Sequence, residues 1–505
     1  MNNIRQELIK KFPINKRITS IINGKQTTIS KNEDIIPVIS PINESQISEL
    51  QQTSIIEVDE AVKSARNAFD KGPWPSMSVD ERKKIMLQIK NIFQENDEEL
   101  AFLESIDAGL TMSYVKSMHA VRAGWNFEFF AEVASQASGE SYTQTKPYIS
   151  IVTREPVGVG ALIGPWNAPL ALCSMKIASC IAFGNTCVLK PSEYTPLSLH
   201  KAVELIHKTD IPKGVVNLIN GNGNITGDAL VKHPGIDVVS FTGGTSTGSI
   251  IAASANKGLK PVALELGGKS ANIITNTANL DRALDGTILG IYSNNGQQCL
   301  AGSRILVQED IAQEFIEKFI QRSKKIKVGD PMVSSTEIGP VCHEDHMNRV
   351  LSYCDVAKNE GAELLTGGER DSSHNQGFYL EPTAYMAKSN ESRICQEEIF
   401  GPFASFLTFK DIEEAITVAN SSDFGLVGYI WSDNLPIVMK ASQEIRAGTI
   451  WVNTPMTREL RAPFGGYKKS GIGRDSAKDC LQFFTEEKTT TIPIGSFPLP
   501  KWGSD

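Results

Sequence analysis

Cys299 closes the run Asn295-Gly296-Gln297-Gln298-Cys299, and upstream of it lies Glu265-Leu266-Gly267-Gly268-Lys269. A thiolate is the strongest common side-chain nucleophile near neutral pH, and a carboxylate within reach can activate the water that cleaves a thioester. The two residue types together suit covalent catalysis through such a thioester. Most buried cysteines are only small hydrophobes. Here Gly296 with Gln297 and Gln298 is a poor choice for a packed interior and reads as a turn exposing sulfur to a cleft.

Other runs supply what that chemistry needs. Gly164-Pro165-Trp166-Asn167 sets a side-chain amide in a rigid turn, where it could donate to a developing oxyanion. Gly221 to Gly227 and Phe241 to Gly248 each follow an apolar run and could open a helix whose backbone amides face a phosphate. The first run is one residue longer than the usual dinucleotide spacing and reads equally well as a plain turn. Lys190 and Glu193, in Leu189-Lys190-Pro191-Ser192-Glu193, could hold ribose hydroxyls. A carboxylate there opposes a 2′-phosphate and points to NAD over NADP. Glu397-Glu398-Ile399-Phe400-Gly401-Pro402 pairs acids with an aromatic and a turn, suited to a second ribose and to packing beside a nicotinamide. The plainer readings are a capping Asn, a solvated strand end and a helix-end cap.

The elements that position these residues alternate. Helical spacing runs from Val58 to Ala134. Short apolar runs then alternate with helical patterns: Val157–Ile163, Thr186–Leu189, Val215–Ile219 and Val238–Phe241, followed by Ala271–Ile274, Ser303–Gln308 and Ser405–Phe409. This predicts an α/β chain with two parallel sheets covered by helices. Its 505 residues exceed one core and suggest about two or three domains. Residues 1–20 read as an N-terminal extension, 21–140 and 155–265 as a cofactor domain, and 266–475 as a catalytic domain. Residues 141–154 and 476–505 read as a β arm for pairing with another subunit.

A net charge of -8 disfavours nucleic acid and anionic membrane as partners. A small-molecule substrate fits better. Eight scattered cysteines without CxxC spacing read as reduced thiols in a cytoplasmic protein. Cys342, His343 and His346 read as an exposed helix start, and no metal is expected. The N-terminal basic residues precede no apolar core, so no secretory signal is expected. The apolar stretch Ala161–Leu189 is interrupted by Pro165, Asn167, Pro169, Lys176, Gly184 and Asn185, so it reads as buried strand, loop and helix.

Taken in order, Pro165-Trp166-Asn167, Lys190 to Glu193, Phe241 to Gly244, Glu265 to Lys269, Gly296 to Cys299, Glu398 to Pro402 and Pro463 to Lys468 resemble the NAD(P)-dependent aldehyde dehydrogenases over nearly the whole chain. The resemblance implies an aldehyde dehydrogenase-like fold with a Rossmann-type cofactor domain, an α/β catalytic domain and a β oligomerisation arm. It gives Cys299 the role of nucleophile, Glu265 that of general base, and Asn167 that of oxyanion donor beside the Cys299 amide. It implies cofactor contacts from Ile163, Pro165, Trp166, Lys190, Ser192, Glu193, Gly223, Gly227, Phe241, Thr242, Gly243, Gly244, Leu266, Gly267, Glu398 and Phe400. Gly244 departs from the pattern, since many members carry a Ser there that touches the pyrophosphate.

Arg122 to Ala131, Gly243-Gly244, Arg458 to Gly466 and Pro498 to Gly503 resemble the branch containing the 5-carboxymethyl-2-hydroxymuconate and 2-hydroxymuconate semialdehyde dehydrogenases. That branch handles acidic substrates. Arg122 and Arg461 could clamp a substrate carboxylate, with a salt bridge as the plainer reading. The expected activity is NAD-dependent, hydrolytic aldehyde oxidation by a homodimer or homotetramer acting on a small aldehyde. Three alternatives stand beside it: a broad-range aromatic/aliphatic or betaine-type enzyme, a CoA-acylating relative, and a non-catalytic binding protein of the same fold. Glu265 argues against the CoA relative, because a water-activating base would compete with CoA for the thioester.

Overall fold

The computed structural model describes residues 2–29 and 34–503. Its first large sheet has eight strands, in the order Gly471–Ile472, Val262–Glu265, Val238–Thr242, Val159–Ile163, Thr186–Lys190, Val216–Leu218, Ile21–Ile22, Lys25–Gln26. The five from Val262–Glu265 to Val216–Leu218 run parallel, and the strands added at both ends are antiparallel. Val159–Ile163 and Thr186–Lys190 are buried at every position. Helices on both faces explain why such strands are continuous apolar runs instead of alternating ones.

Neighbouring residues of one strand serve opposite faces. Ala161 packs with Val58, Ala61 and Val62 of the helix Ile55–Asp70, while Leu162 packs with Ile177 and Ile181 of the helix Pro169–Ala182. Two helices of this layer open on reciprocal capping boxes, Ser54 with Glu57 and Ser78 with Glu81, which satisfy otherwise orphaned N–H groups. The Ala161–Leu189 stretch is strand, loop, helix and strand. Among the described residues no helix is long and apolar enough to cross a membrane.

The second large sheet has seven strands, in the order Glu363–Thr366, Thr383–Met386, Phe403–Phe409, Arg304–Gln308, Ala271–Ile274, Val427–Trp431, Thr449–Val452, all parallel except the first. After the second sheet the chain returns to the first, where Gly471–Ile472 lies antiparallel on Leu264 and Glu265. Residues 1–20 are not wholly an appendage, since Arg17 and Ile18 pair in parallel with Glu49 and Leu50. Thr485–Pro493 pairs antiparallel with Tyr148–Pro156, which also pairs with Glu140–Tyr142. The tail strand thus has a partner within its own chain, and it remains almost wholly exposed.

Arg304 ties the second sheet to the segment after Glu265. Its buried guanidinium donates to the carbonyls of Lys269, Val418 and Ala419, each at 2.9 Å, and to Asn390 Oδ1 at 3.0 Å. Arg304→Met should leave these acceptors unpaired and cost about 3 kcal/mol. The melting temperature should fall by about 3 °C in a calorimetric scan; an unchanged melting temperature would contradict the assignment.

Candidate functional site

The loop that carries Cys299 has an unusual backbone. Asn294, Asn295 and Gly296 take φ of 54°, 56° and 72° in succession. A left-handed L-residue costs about 1–2 kcal/mol, and Asn tolerates the conformation better than most. At Gly296 a Cβ would lie 2.2 Å from the Gly401 carbonyl carbon, so only glycine fits.

Side-chain amides hold this shape. Asn294 Nδ2 donates to the Asn167 and Gln297 carbonyls, and Asn295 Nδ2 donates to those of Gly109 and Pro340, all at 2.9 Å. Asn295 Oδ1 accepts the Gly339 N–H and Gln297 Oε1 accepts the Cys342 N–H, both at 2.8 Å. The expectation of an open, polar turn is corrected here. Asn294, Asn295, Gln297 and Gln298 are buried because their amides satisfy the backbone of other segments. Cys299 is half-buried and opens on a cavity of about 770 Å³.

That cavity gathers residues from segments around both large sheets. Its walls include Cys299, Glu265 and Asn167, together with Ile163, Pro165, Trp166, Lys190, Ser192, Glu193, Gly223, Gly227, Phe241, Thr242, Gly243, Gly244, Leu266, Gly267, Glu398 and Phe400. Asn167 Nδ2 donates one N–H to the Gln297 carbonyl at 2.8 Å, which leaves the second for a ligand. Burial, then the Glu398 and Glu265 carboxylates, push the Cys299 thiol up to about 12. Burial, then repulsion from Asp475, holds Glu265 well above the usual carboxylate range, against the opposing pull of Lys176, Arg458 and Arg474. Burial therefore works against ionising either group, and a base with a raised pKa is a stronger proton acceptor once ionised.

The far end fits a dinucleotide. Glu193 meets Lys190 Nζ at 2.9 Å and accepts the Gly223 N–H at 3.3 Å. Burial pushes its carboxyl up, but the Lys190 charge and hydrogen bond outweigh burial and hold it below its ordinary value. Gly244 opens the helix Thr245–Asn256 without a side-chain cap, and a Cβ there would meet nothing within 4 Å. An uncapped helix start facing open space suits a pyrophosphate. Glu398 accepts the Gly268 N–H at 2.9 Å and crowds Gly267, where a Cβ would lie 2.3 Å from its Oε2. Phe400 has φ of 67°; the His346 ring donates to its carbonyl at 2.7 Å, and the Trp166 ring packs at 5.2 Å. Glu397 turns away, to Arg393 and Tyr353.

His343, His346, Tyr194 and Arg349 also line the cavity and were missed. The Cys342-His343-His346 segment is a helix start, with His343 accepting the His346 N–H at 3.2 Å, yet Cys342 and His346 are buried, not exposed. His343 stacks on Tyr194 with ring centroids 4.0 Å apart. No spacing in either segment signals that contact, because it joins two distant parts of the chain.

The arginine pair needs a second correction. Arg461 is a surface residue bound to Glu459 at 2.7 Å, and its side chain is 77% exposed. Arg458 turns inward instead: its guanidinium lies 3.9 Å over the Phe464 ring, which shares an apolar cluster with Cys299, and its Nη2 donates to the Asp475 carbonyl at 3.0 Å. Arg122 reaches Met175 Sδ at 3.6 Å, and burial followed by Arg458 lowers its pKa to about 10. The Nε atoms of Arg122 and Arg458 are both buried without a hydrogen-bond partner among the described residues.

A half-buried thiol opens on a large cavity whose far end fits a dinucleotide, an arrangement suited to an oxidoreductase. Residues 28–490 match the aldehyde dehydrogenase family, and the chain belongs to it. It is 40% identical to a betaine aldehyde dehydrogenase of Bacillus subtilis, covering 93% of this chain and 96% of that one. It is 39% identical to a 5-carboxymethyl-2-hydroxymuconate semialdehyde dehydrogenase of Escherichia coli, covering 90% and 96%. The crystal structure of a Staphylococcus aureus betaine aldehyde dehydrogenase in complex with NAD+ superposes with a TM-score of 0.95 at 36% identity, covering 99% of this chain and 100% of that one.

The open space at Gly244 makes it a test position. Gly244→Ser should add a hydroxyl donor without a clash and tighten NAD binding about two- to tenfold by titration calorimetry. Weaker binding would show that the ligand approaches the backbone too closely for any side chain.

Proposed function

We propose that the protein uses NAD to oxidise an acidic semialdehyde, of the 5-carboxymethyl-2-hydroxymuconate or 2-hydroxymuconate semialdehyde kind, to the carboxylic acid. The observation that supports the substrate class is the pair of buried guanidinium charges of Arg122 and Arg458, which repel each other and, from Arg458, act on Glu265 and Cys299. A substrate carboxylate beside them would offset that repulsion. A quaternary ammonium at the same place would meet that repulsion unshielded, which disfavours the betaine-type reading.

The residues divide the work. Cys299 gives up its proton to solvent, and the thiolate attacks the aldehyde carbon to form a thiohemiacetal. The free N–H of Asn167 and the Cys299 amide hold its oxyanion. NAD, held by Lys190, Glu193, Glu398 and the helix start at Gly244, supplies the hydride acceptor when bound. Collapse of the oxyanion leaves a thioester on Cys299. Glu265 then takes a proton from water as its oxygen attacks the thioester carbonyl, and the acid departs as the sulfur recovers its proton.

We also read the protein as a cytoplasmic homo-oligomer. The eight cysteines are free, as a reducing compartment requires. The arm strand Thr485–Pro493 is exposed on both faces, and a thin sheet of this kind gains stability by packing on a neighbour.

Because the Glu265 pKa is raised, its ionised form is scarce at low pH and grows as pH climbs. The steady-state rate should therefore rise with pH through that raised pKa. Glu265→Gln should keep the first-turnover burst of NADH but lose both the steady rate and this rise, as stopped-flow absorbance would show. Loss of the burst as well would place Glu265 in acylation.

Arg458→Ala should lower kcat/KM for an acidic semialdehyde about ten- to a hundredfold, since a charge-assisted hydrogen bond contributes about 1.5–3 kcal/mol. Benzaldehyde should be little affected, and Arg461→Ala should change neither substrate. Equal losses on both aldehydes would make the arginines structural and favour a broad-range enzyme.

A further inference from the structure

One buried helix, Asp97–Ala108, is hydrogen-bonded to elements beside three of the site's segments, those of Asn167, Lys190–Tyr194 and Cys299. Its residues from Leu100 to Ala108 are buried, and two of them, Glu104 and Asp107, are acids with no exposure. The helix Pro169–Ala182, which begins directly after Asn167, has Ala168 at its N-cap and no cap from its own side chains. The Leu170 N–H instead donates to Glu104 Oε2 at 2.9 Å. The helix Leu197–Ile206, which follows the Lys190–Tyr194 loop, likewise lacks a cap of its own, and its Leu197 N–H donates to Asp107 Oδ2 at 2.9 Å. The Gly109 carbonyl that ends Asp97–Ala108 accepts Asn295 Nδ2 of the Cys299 loop.

Glu104 is itself held from both sides. Oε1 bonds to His119 Nδ1 at 2.5 Å, and Oε2 also accepts the Ser198 hydroxyl at 3.3 Å. His119 comes from the π-helical turn Val115–Ala120, which leads into the helix carrying Arg122. A π-turn shifts the register of the side chains that follow it. The two oxygens of one buried carboxylate thus join the oxyanion turn to the substrate-side helix.

We propose that Glu104 is a positioning residue for the oxyanion donor. By capping Pro169–Ala182 from another helix, it fixes the start of that helix and with it the turn bearing Asn167. The distance from Asn167 Nδ2 to the developing oxyanion then depends on a group that touches neither substrate nor cofactor. Oxyanion stabilisation is sensitive to such small displacements because its donors act only at hydrogen-bond distance. The inference rests on Asn167 serving as the oxyanion donor.

A double-mutant cycle on the full-length enzyme with saturating NAD, read as the rate of the NADH burst, tests the coupling. Asn167→Ala alone should slow the burst about a hundredfold. Glu104→Gln, which keeps the shape but loses the charge, should slow it about tenfold or more in the wild-type background. It should slow it less than about twofold in the Asn167→Ala background, with the Kd for NAD unchanged in each, because the two losses share one cause. Equal slowing by Glu104→Gln in both backgrounds would make the residue merely structural and overturn the proposal. A wild-type burst for Glu104→Gln overturns it too. A wild-type burst for Asn167→Ala would overturn the underlying oxyanion assignment instead. If Glu104→Gln does not accumulate folded, Glu104→Asp, which keeps the charge and draws the oxygens back by one methylene, carries the same cycle.

Discussion

Three consecutive left-handed residues, Asn294 to Gly296, are the constraint around which the site is built. Two of them carry a Cβ, so the turn costs about 2–4 kcal/mol before any contact is made. It persists because the same two asparagines spend their side chains on backbone carbonyls and amides of segments that must otherwise be buried unpaired. Those segments lie at Asn167, Gly109, Gly339 and Pro340, so bending this loop and joining distant parts of the chain are one event. Phe400, a second left-handed residue in the cavity wall, follows the same logic through His346.

The electrostatics around Cys299 are strained in a complementary way. Glu265, Glu398 and Cys299 share one cavity in which burial disfavours ionising each, and the two carboxylates further raise the Cys299 thiol. In the resting protein burial thus disfavours charge on both the thiol and the carboxyl. The cations nearest the pair, Lys176 and Arg458, oppose this only in part for Glu265. A group that stands ionised beside these residues during turnover therefore shifts the balance strongly, because little water screens it. The site is poised for charge to arrive instead of being charged at rest.

Much of the scaffold was legible in the chain. Val238–Thr242, Ala271–Ile274 and Arg304–Gln308 are short apolar runs bounded by helical spacing, and a strand covered on both faces must be such a run. The cavity residues were legible too, since runs such as Lys190 to Glu193 and Glu265 to Lys269 combine residue types that a plain turn does not need. Arg458 and Arg461 were indistinguishable, because both follow the same loop and no periodicity says which one turns inward. Packing decided it: Phe464 offers a ring face to Arg458, and Glu459 holds Arg461 in solvent.

The amides beside Cys299 show the same limit from another side. By composition Gln297 and Gln298 belong in water, and they are buried only because distant backbone groups need them. Glu104 and Asp107 sit in an apolar helix with no local sign that each will cap a helix far away in the chain. The sequence by itself determined which elements form and which chemistry they carry, because apolar period and residue type are local properties. The tertiary structure alone decided which polar side chains face the cavity and which hold it in shape, because a buried hydrogen bond is defined by its partner, and these partners are far apart in the chain.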